Sequence, residues 1–157
     1  MKVRVLFTGK TREAWIREGI DVYAERIRHY VTFSLMELPD LKQTSSLTED
    51  QVKAREGEMI LKSLRSTDHL VLLDEHGPEC SSRDWARNLE LKSAHLPSDL
   101  VFVIGGPYGF SQAVRERADE QLSLSRMTFS HQLVRVVFLE QLYRALTIIR
   151  GEPYHHE

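Results

Sequence analysis

The chain predicts an α/β fold with a mainly parallel sheet flanked by helices. Two observations carry this expectation. Strand-length apolar runs alternate with helix-patterned segments from one end of the sequence to the other. Two of those runs, His69–Leu73 and Leu100–Ile104, are compact and apolar instead of alternating with polar residues. Such strands are buried on both faces, which requires helices on each side of the sheet.

Residues 2–8 alternate and are rich in Val and Leu, forming a strand that Gly9 ends. Over 12–30, Ile16, Ile20, Tyr23, Ile27 and Tyr30 recur at intervals of four and three, the spacing of an amphipathic helix. Residues 32–38 give a second strand, stopped by Pro39, and the polar stretch 40–47 reads as a mobile loop. Thr48 with Gln51 fits a capping box opening a helix to about Arg65. Asp74-Glu75-His76-Gly77-Pro78 breaks the run after Leu73, and Ser81 can cap a helix through about His95. Gly105-Gly106-Pro107-Tyr108-Gly109 ends the next strand, and Ser111 can cap a short helix to Ala118. The apolar/Ser alternation over 122–125 predicts a last strand. Ser130 then caps a helix of nearly twenty residues, with His131 as its first residue, which stops at Gly151.

That last helix is apolar on almost every side, through Leu133, Val134, Val136, Val137, Phe138, Leu139, Leu142, Tyr143, Ala145, Leu146, Ile148 and Ile149. A helix without a polar face is buried within a fold or between subunits. It predicts a homodimer, because it carries more apolar surface than a lone domain exposes. Arg135, Glu140, Arg144 and Arg150 interrupt it, and buried charges must be paired or functional. Glu140 and Arg144 are four apart, in the favourable order for an ion pair.

A length of 157 residues suits one domain, spanning 1–157, with 41% hydrophobic and 28% charged residues. The net charge of −2 excludes nucleic-acid binding by bulk charge, so an RNA contact needs a local basic patch or a larger partner. No run has the length of a membrane span and the start lacks a signal-peptide cleavage site. The single Cys80 forbids an internal disulfide, and the expectation is a cytoplasmic protein with no membrane partner.

Ligands of such folds sit beyond the carboxyl ends of the strands. Three loops are therefore favoured: the one after Leu73, Gly105–Gly109, and 125–130. The glycine stretch is a tight turn or a backbone-lined nucleoside pocket; it lacks the spacing of a phosphate loop or a dinucleotide fingerprint. Ser123, Ser125, Thr128 and Ser130 fit turn and cap chemistry, and no nucleophile elbow surrounds them. His155 and His156 have no ligand-spaced carboxylate or cysteine, so no metal is expected. With Tyr154 they are either a frayed tail or an aromatic and donor set suited to a nucleic acid or nucleoside.

The stretches VFVIGGPYGF, LSLSRMTFSHQLVR, EQLYRA and GEPYHHE, with MKVRVLFTGK and KAREGE upstream, resemble the RlmH-type ribosomal RNA methyltransferases of the SPOUT superfamily along essentially the whole chain. The resemblance implies a homodimer with a C-terminal trefoil knot. It implies S-adenosylmethionine as methyl donor and methylation of N3 of a pseudouridine in large-subunit (23S-type) rRNA, on an assembled 70S-type ribosome. Carried over by motif, the donor site comprises Leu73, Gly105, Leu124, Ser125, Arg126, Met127, Thr128 and Phe129. His131, Arg144, Tyr154 and His155 fall near the acceptor as the catalytic set. The family usually has Arg or Lys where this chain has His156. Two rivals stand beside this reading. A nucleotide hydrolase or kinase needs a phosphate-binding lysine motif or Mg²⁺ carboxylates, and neither is evident. A non-catalytic ribosome-binding or assembly factor would share the fold but not the donor.

Overall fold

Among the described residues five strands and five α-helices alternate in the expected order: β1 (Lys2–Phe7), α1 (Ala14–Arg28), β2 (Thr32–Glu37), α2 (Glu49–Lys62), β3 (His69–Leu73), α3 (Ser82–His95), β4 (Leu100–Ile104), α4 (Gln112–Arg117), β5 (Glu120–Leu122) and α5 (Leu133–Ile149). The computed structural model describes residues 1–156; Glu157, the end of the expected tail, lies outside them. Every strand pair is parallel, in the order β2-β1-β4-β3-β5.

Register explains the two apolar central strands. Val5 and Val71 both lie opposite Phe102, and this row faces α1, α3 and α5. Leu6, Leu70, Leu72, Val101 and Val103 point the other way, into a second core that includes Ile60 of α2 and Val114 of α4. Trp85 of α3, Phe102 and Phe138 of α5 stack between the layers, with ring centroids 5.0–6.0 Å apart.

The connections β1 to β2 and β3 to β4 step one way across the sheet, over the α1 and α3 face. β2 to β3 and β4 to β5 step the other way, over α2 and α4. Direction and face reverse together, so all four crossovers share one hand, as strand twist requires. All carboxyl ends therefore lie along one rim of the sheet, where the loops after β3, β4 and β5 meet.

Several boundaries move from their expected places. The Thr48–Gln51 capping box forms, and Ser81 and Ser111 accept from the N–H groups of Asp84 and Val114. β5 ends at Leu122 instead of running over 122–125, because Ser123 leaves the sheet: its N–H donates to the Pro78 carbonyl at 2.9 Å. Ser130 Oγ accepts from Gln132 and Leu133, but regular helix starts only at Leu133, so His131 sits in the turn before α5. The loop 40–47 contains one 3₁₀ turn, Thr44–Ser46, reached through Gln43 at φ 57°.

α5 packs between α1 and α3 and has no fully exposed residue. Its buried strip is Arg135, Phe138, Leu139, Leu142, Ala145, Leu146 and Thr147. Gly19 permits the close approach of α1, since a Cβ there would lie 3.2 Å from Val136. Among the described residues no helix is long and apolar enough to cross a membrane.

Candidate functional site

A cleft of about 410 Å³ opens at the rim where β3, β4 and β5 end. That size falls within the range of small-molecule sites. Its walls are the three loops expected from the sequence: 73–76, 104–110 and 124–131. The second loop is a tight turn in which the Gly109 N–H donates to the Gly106 carbonyl at 3.2 Å, with Gly109 at φ 82°. The third is pinned to the first. Ser123 Oγ lies 3.2 Å from the Glu75 carbonyl, and Thr128 Oγ1 donates to the Glu75 carboxylate at 2.6 Å.

Leu73, Gly105, Leu124, Ser125, Met127, Thr128, Phe129 and His131 all line this cleft. Arg126 does not; it points outward to Glu79 at 3.4 Å. Asp74 and Arg115, which sequence reasoning did not single out, face the cleft as an ion pair. Burial pushes the Asp74 carboxyl up, but the His76 N–H and the Arg115 guanidinium outweigh it and hold the group below the usual carboxylate range. Arg115 was not legible in advance, because a cation in a short exposed-looking helix carries no periodic signal.

His131 sits where the cleft meets α5. Burial first, then the nearby Arg135 and Arg12, hold its imidazole below the ordinary histidine range, so it is neutral at pH 7. Arg135, one turn on, is fully buried. It donates to Thr11 Oγ1 at 2.8 Å, the Thr8 carbonyl at 3.0 Å and Glu37 at 3.3 Å, and its guanidinium lies 4.8 Å from the Phe7 ring centroid. Gln132 accepts from the Arg12 N–H and donates to the Lys10 carbonyl. The loop after β1 is thus clasped to the start of α5.

The other three expected catalytic residues lie elsewhere. Arg144 is roughly 16 Å along the α5 axis from Leu133, at about 1.5 Å per residue. There it donates to Glu140, as the spacing predicts, and meets His155 Nδ1 at 3.1 Å. Tyr154 donates to Glu140 at 3.0 Å and packs edge-on against Tyr143, with centroids 4.7 Å apart. Burial and the hydrogen bond to Glu140 raise its phenol well above the usual tyrosine range, so it stays a donor. The tail is docked as far as His155, and Arg144 Nε is buried without a partner. The chain therefore holds His131 at the cleft and Arg144, Tyr154 and His155 toward the far end of α5.

The family profile described as "Predicted SPOUT methyltransferase" matches residues 1–155. The chain belongs to the SPOUT methyltransferase family. It is 50% identical over 157 residues to the ribosomal RNA large subunit methyltransferase H of Parabacteroides distasonis, covering 100% of both chains. It is 51% identical over 156 residues to the protein of that name from Geotalea daltonii, covering 99% of this chain and 100% of the relative. For the one from Christiangramia forsetii the identity is 47% over 156 residues, 99% of each.

In this SPOUT methyltransferase the glycine loop is shaped from behind. A Cβ on Gly105 would lie 3.1 Å from the Phe110 ring, and one on Gly106 would collide with the Glu56 carboxylate at 2.5 Å. Gly105→Val is thus expected to displace Phe110 and narrow the cleft. A loss of about 1–3 kcal/mol is expected from such overpacking. Calorimetric titration should show nucleoside binding lost in a protein that still melts cooperatively.

Glu56 is itself unusual. Its Oε1 is buried without a partner, and burial pushes the carboxyl up to about 7. The folded protein then holds a proton between about pH 4.5 and 7 that the unfolded chain releases. Its contribution to stability is complete at the acid end of that window and is lost as pH rises through 7. Glu56→Gln removes this dependence. The variant should melt above the parent at pH 8 and alongside it at pH 4.5, as thermal scans at the two pH values would show.

Among the described residues no group of three His, Cys, Asp or Glu is placed to hold a metal ion.

Proposed function

We propose that the protein is a homodimeric, S-adenosylmethionine-dependent methyltransferase that modifies N3 of a pseudouridine in large-subunit rRNA, on assembled ribosomes in the cytoplasm. The observation that carries this reading is end-to-end identity of about half with proteins named ribosomal RNA large subunit methyltransferase H. On this reading the 157 residues act as one methyltransferase domain, and the C-terminal chain is threaded as a trefoil knot. Support for the knot is the match of residues 1–155 to the SPOUT methyltransferase profile.

The cleft fits the donor. Its glycine loop adds little side-chain bulk, Leu124, Met127 and Phe129 give an adenine ring apolar neighbours, and the size is adequate. The bound donor supplies a methyl group made electrophilic by a sulfonium. The chain must then hold N3 in line with that group, and the N3 proton must leave. His131, neutral and at the cleft, can accept it. A cation beside the base carbonyls favours the resulting anion. Arg144 is the candidate, because its Nε has no partner even with Glu140 and His155 engaged.

In one protomer Arg144 lies too far from His131 for this. A two-fold packing of α5 against its antiparallel copy places the Arg144, Tyr154 and His155 end of one subunit beside the cleft of the other. The half-buried apolar residues Leu133, Val137 and Ile149 support such a contact. Sedimentation at micromolar concentration should give the dimer mass; a monomer would remove the composite site.

The deciding experiment supplies ribosomes from a strain lacking the protein with labelled S-adenosylmethionine. Label at N3 of one pseudouridine, located by mass spectrometry, is expected. Ribosome binding without transfer would make the protein a non-catalytic factor instead.

A further inference from the structure

The cleft wall nearest β3 and α4 carries charges that the transfer chemistry above does not use. Asp74 follows β3 directly and its side chain is 6% exposed, while Arg115 on α4 is 32% exposed, and the two are bonded. Asp74 Oδ1 accepts the His76 N–H at 3.0 Å and Oδ2 accepts from Arg115 Nη1. Each carboxylate oxygen has a second lone pair, and the guanidinium has five N–H groups. Asp74 is the one side-chain hydrogen-bond partner of Arg115 among the described residues. The cation lies under the glycine turn, 5.9 Å from the Phe110 ring centroid and 3.8 Å from where a Gly109 Cβ would be. Both residues line the cleft. A fixed pair of opposite charges on a pocket wall complements a ligand that carries the same two charges in reverse order.

We infer that Asp74 and Arg115 dock the zwitterionic amino-acid end of the donor, its ammonium on Asp74 and its carboxylate on Arg115. The inference rests on the donor reading above and deepens it. It assigns the nucleoside end to the glycine and 124–129 loops and the amino-acid end to this pair. The site then selects nucleosides bearing an intact α-amino acid over those that lack one. The carboxylate contact to a planar fork would be charge-assisted, the stronger class of hydrogen bond.

The test is calorimetric binding of three ligands: S-adenosylmethionine, S-adenosylhomocysteine and 5′-methylthioadenosine, which lacks the amino-acid end. The parent should prefer the first two. In Asp74→Asn/Arg115→Gln, which leaves no unpaired buried charge, both should weaken by about 10- to 100-fold, the loss expected for charge-assisted bonds. Methylthioadenosine should bind as before. An equal loss for methylthioadenosine would mean that the pair only shapes the cleft and would overturn the inference. Undiminished S-adenosylhomocysteine binding would overturn it too. The parent alone provides a check that needs no variant: methylthioadenosine binding as tightly as S-adenosylhomocysteine would show that the amino-acid end is not docked. If the parent binds none of the three, the donor reading itself falls and takes the inference with it.

Discussion

A protein shortened just before Tyr154 is expected to bind S-adenosylmethionine and to dimerise as the parent does, but to lose methyl transfer by at least about 100-fold. Displacing one positioning group from a reacting centre costs on that order. The physical basis is the separation described above. Among the described residues none of the tail lines the cleft of its own chain, so donor affinity should survive its removal. It contacts the far end of α5, where Tyr154 binds Glu140 and His155 meets Arg144. Truncation strips Arg144 of His155 and of the Tyr154 ring beneath its guanidinium, 4.8 Å away. Donor calorimetry, sedimentation and ribosome methylation should be measured on the same preparation. Normal transfer by the shortened protein would mean that the tail is packing alone. His156→Arg, which puts a permanent cation at an exposed position, should tighten ribosome binding and leave donor affinity unchanged.

Arg135→Met should be the most damaging single substitution for stability, costing about 3 kcal/mol, near the lower end for breaking a buried ion pair. The low end applies because Glu37 keeps part of its hydration, with 29% of its side chain exposed. The methionine would fill much of the volume but leave the Thr8 carbonyl and Thr11 Oγ1 without their donor. For a domain of this length the melting temperature should fall by about 6–12 °C. Adding Glu37→Gln removes the stranded charge and should recover part of the loss. Strictly additive losses would show that the two residues do not act as a pair.

These two expectations draw on different levels of the molecule. The alternation of strands and helices was legible because each element satisfies its own periodicity: Ile16, Ile20 and Ile27 face the core of a helix, and Thr48 and Gln51 close a box within four residues. The three loops around the cleft were legible too, since parallel strands must end along one rim. The Glu140–Arg144 pair followed from spacing alone. Where local pattern misled, a distant partner had decided. The serine alternation after Leu122 resembles a strand, yet Ser123 is drawn out of the sheet by Pro78 and Glu75, more than forty residues earlier.

The sequence by itself thus determined the layered α/β architecture, the loops that meet at the cleft and, through its family stretches, the class of enzyme. Tertiary structure decided what no periodicity encodes. It joined Arg135 to Thr8, Thr11 and Glu37 across about a hundred residues, and Asp74 to Arg115 across about forty. It also brought His131 to the cleft and docked Tyr154 and His155 against Glu140 and Arg144. The reason is physical: periodicity records which face of an element is buried, whereas an ion pair or a site depends on which elements the crossovers bring side by side.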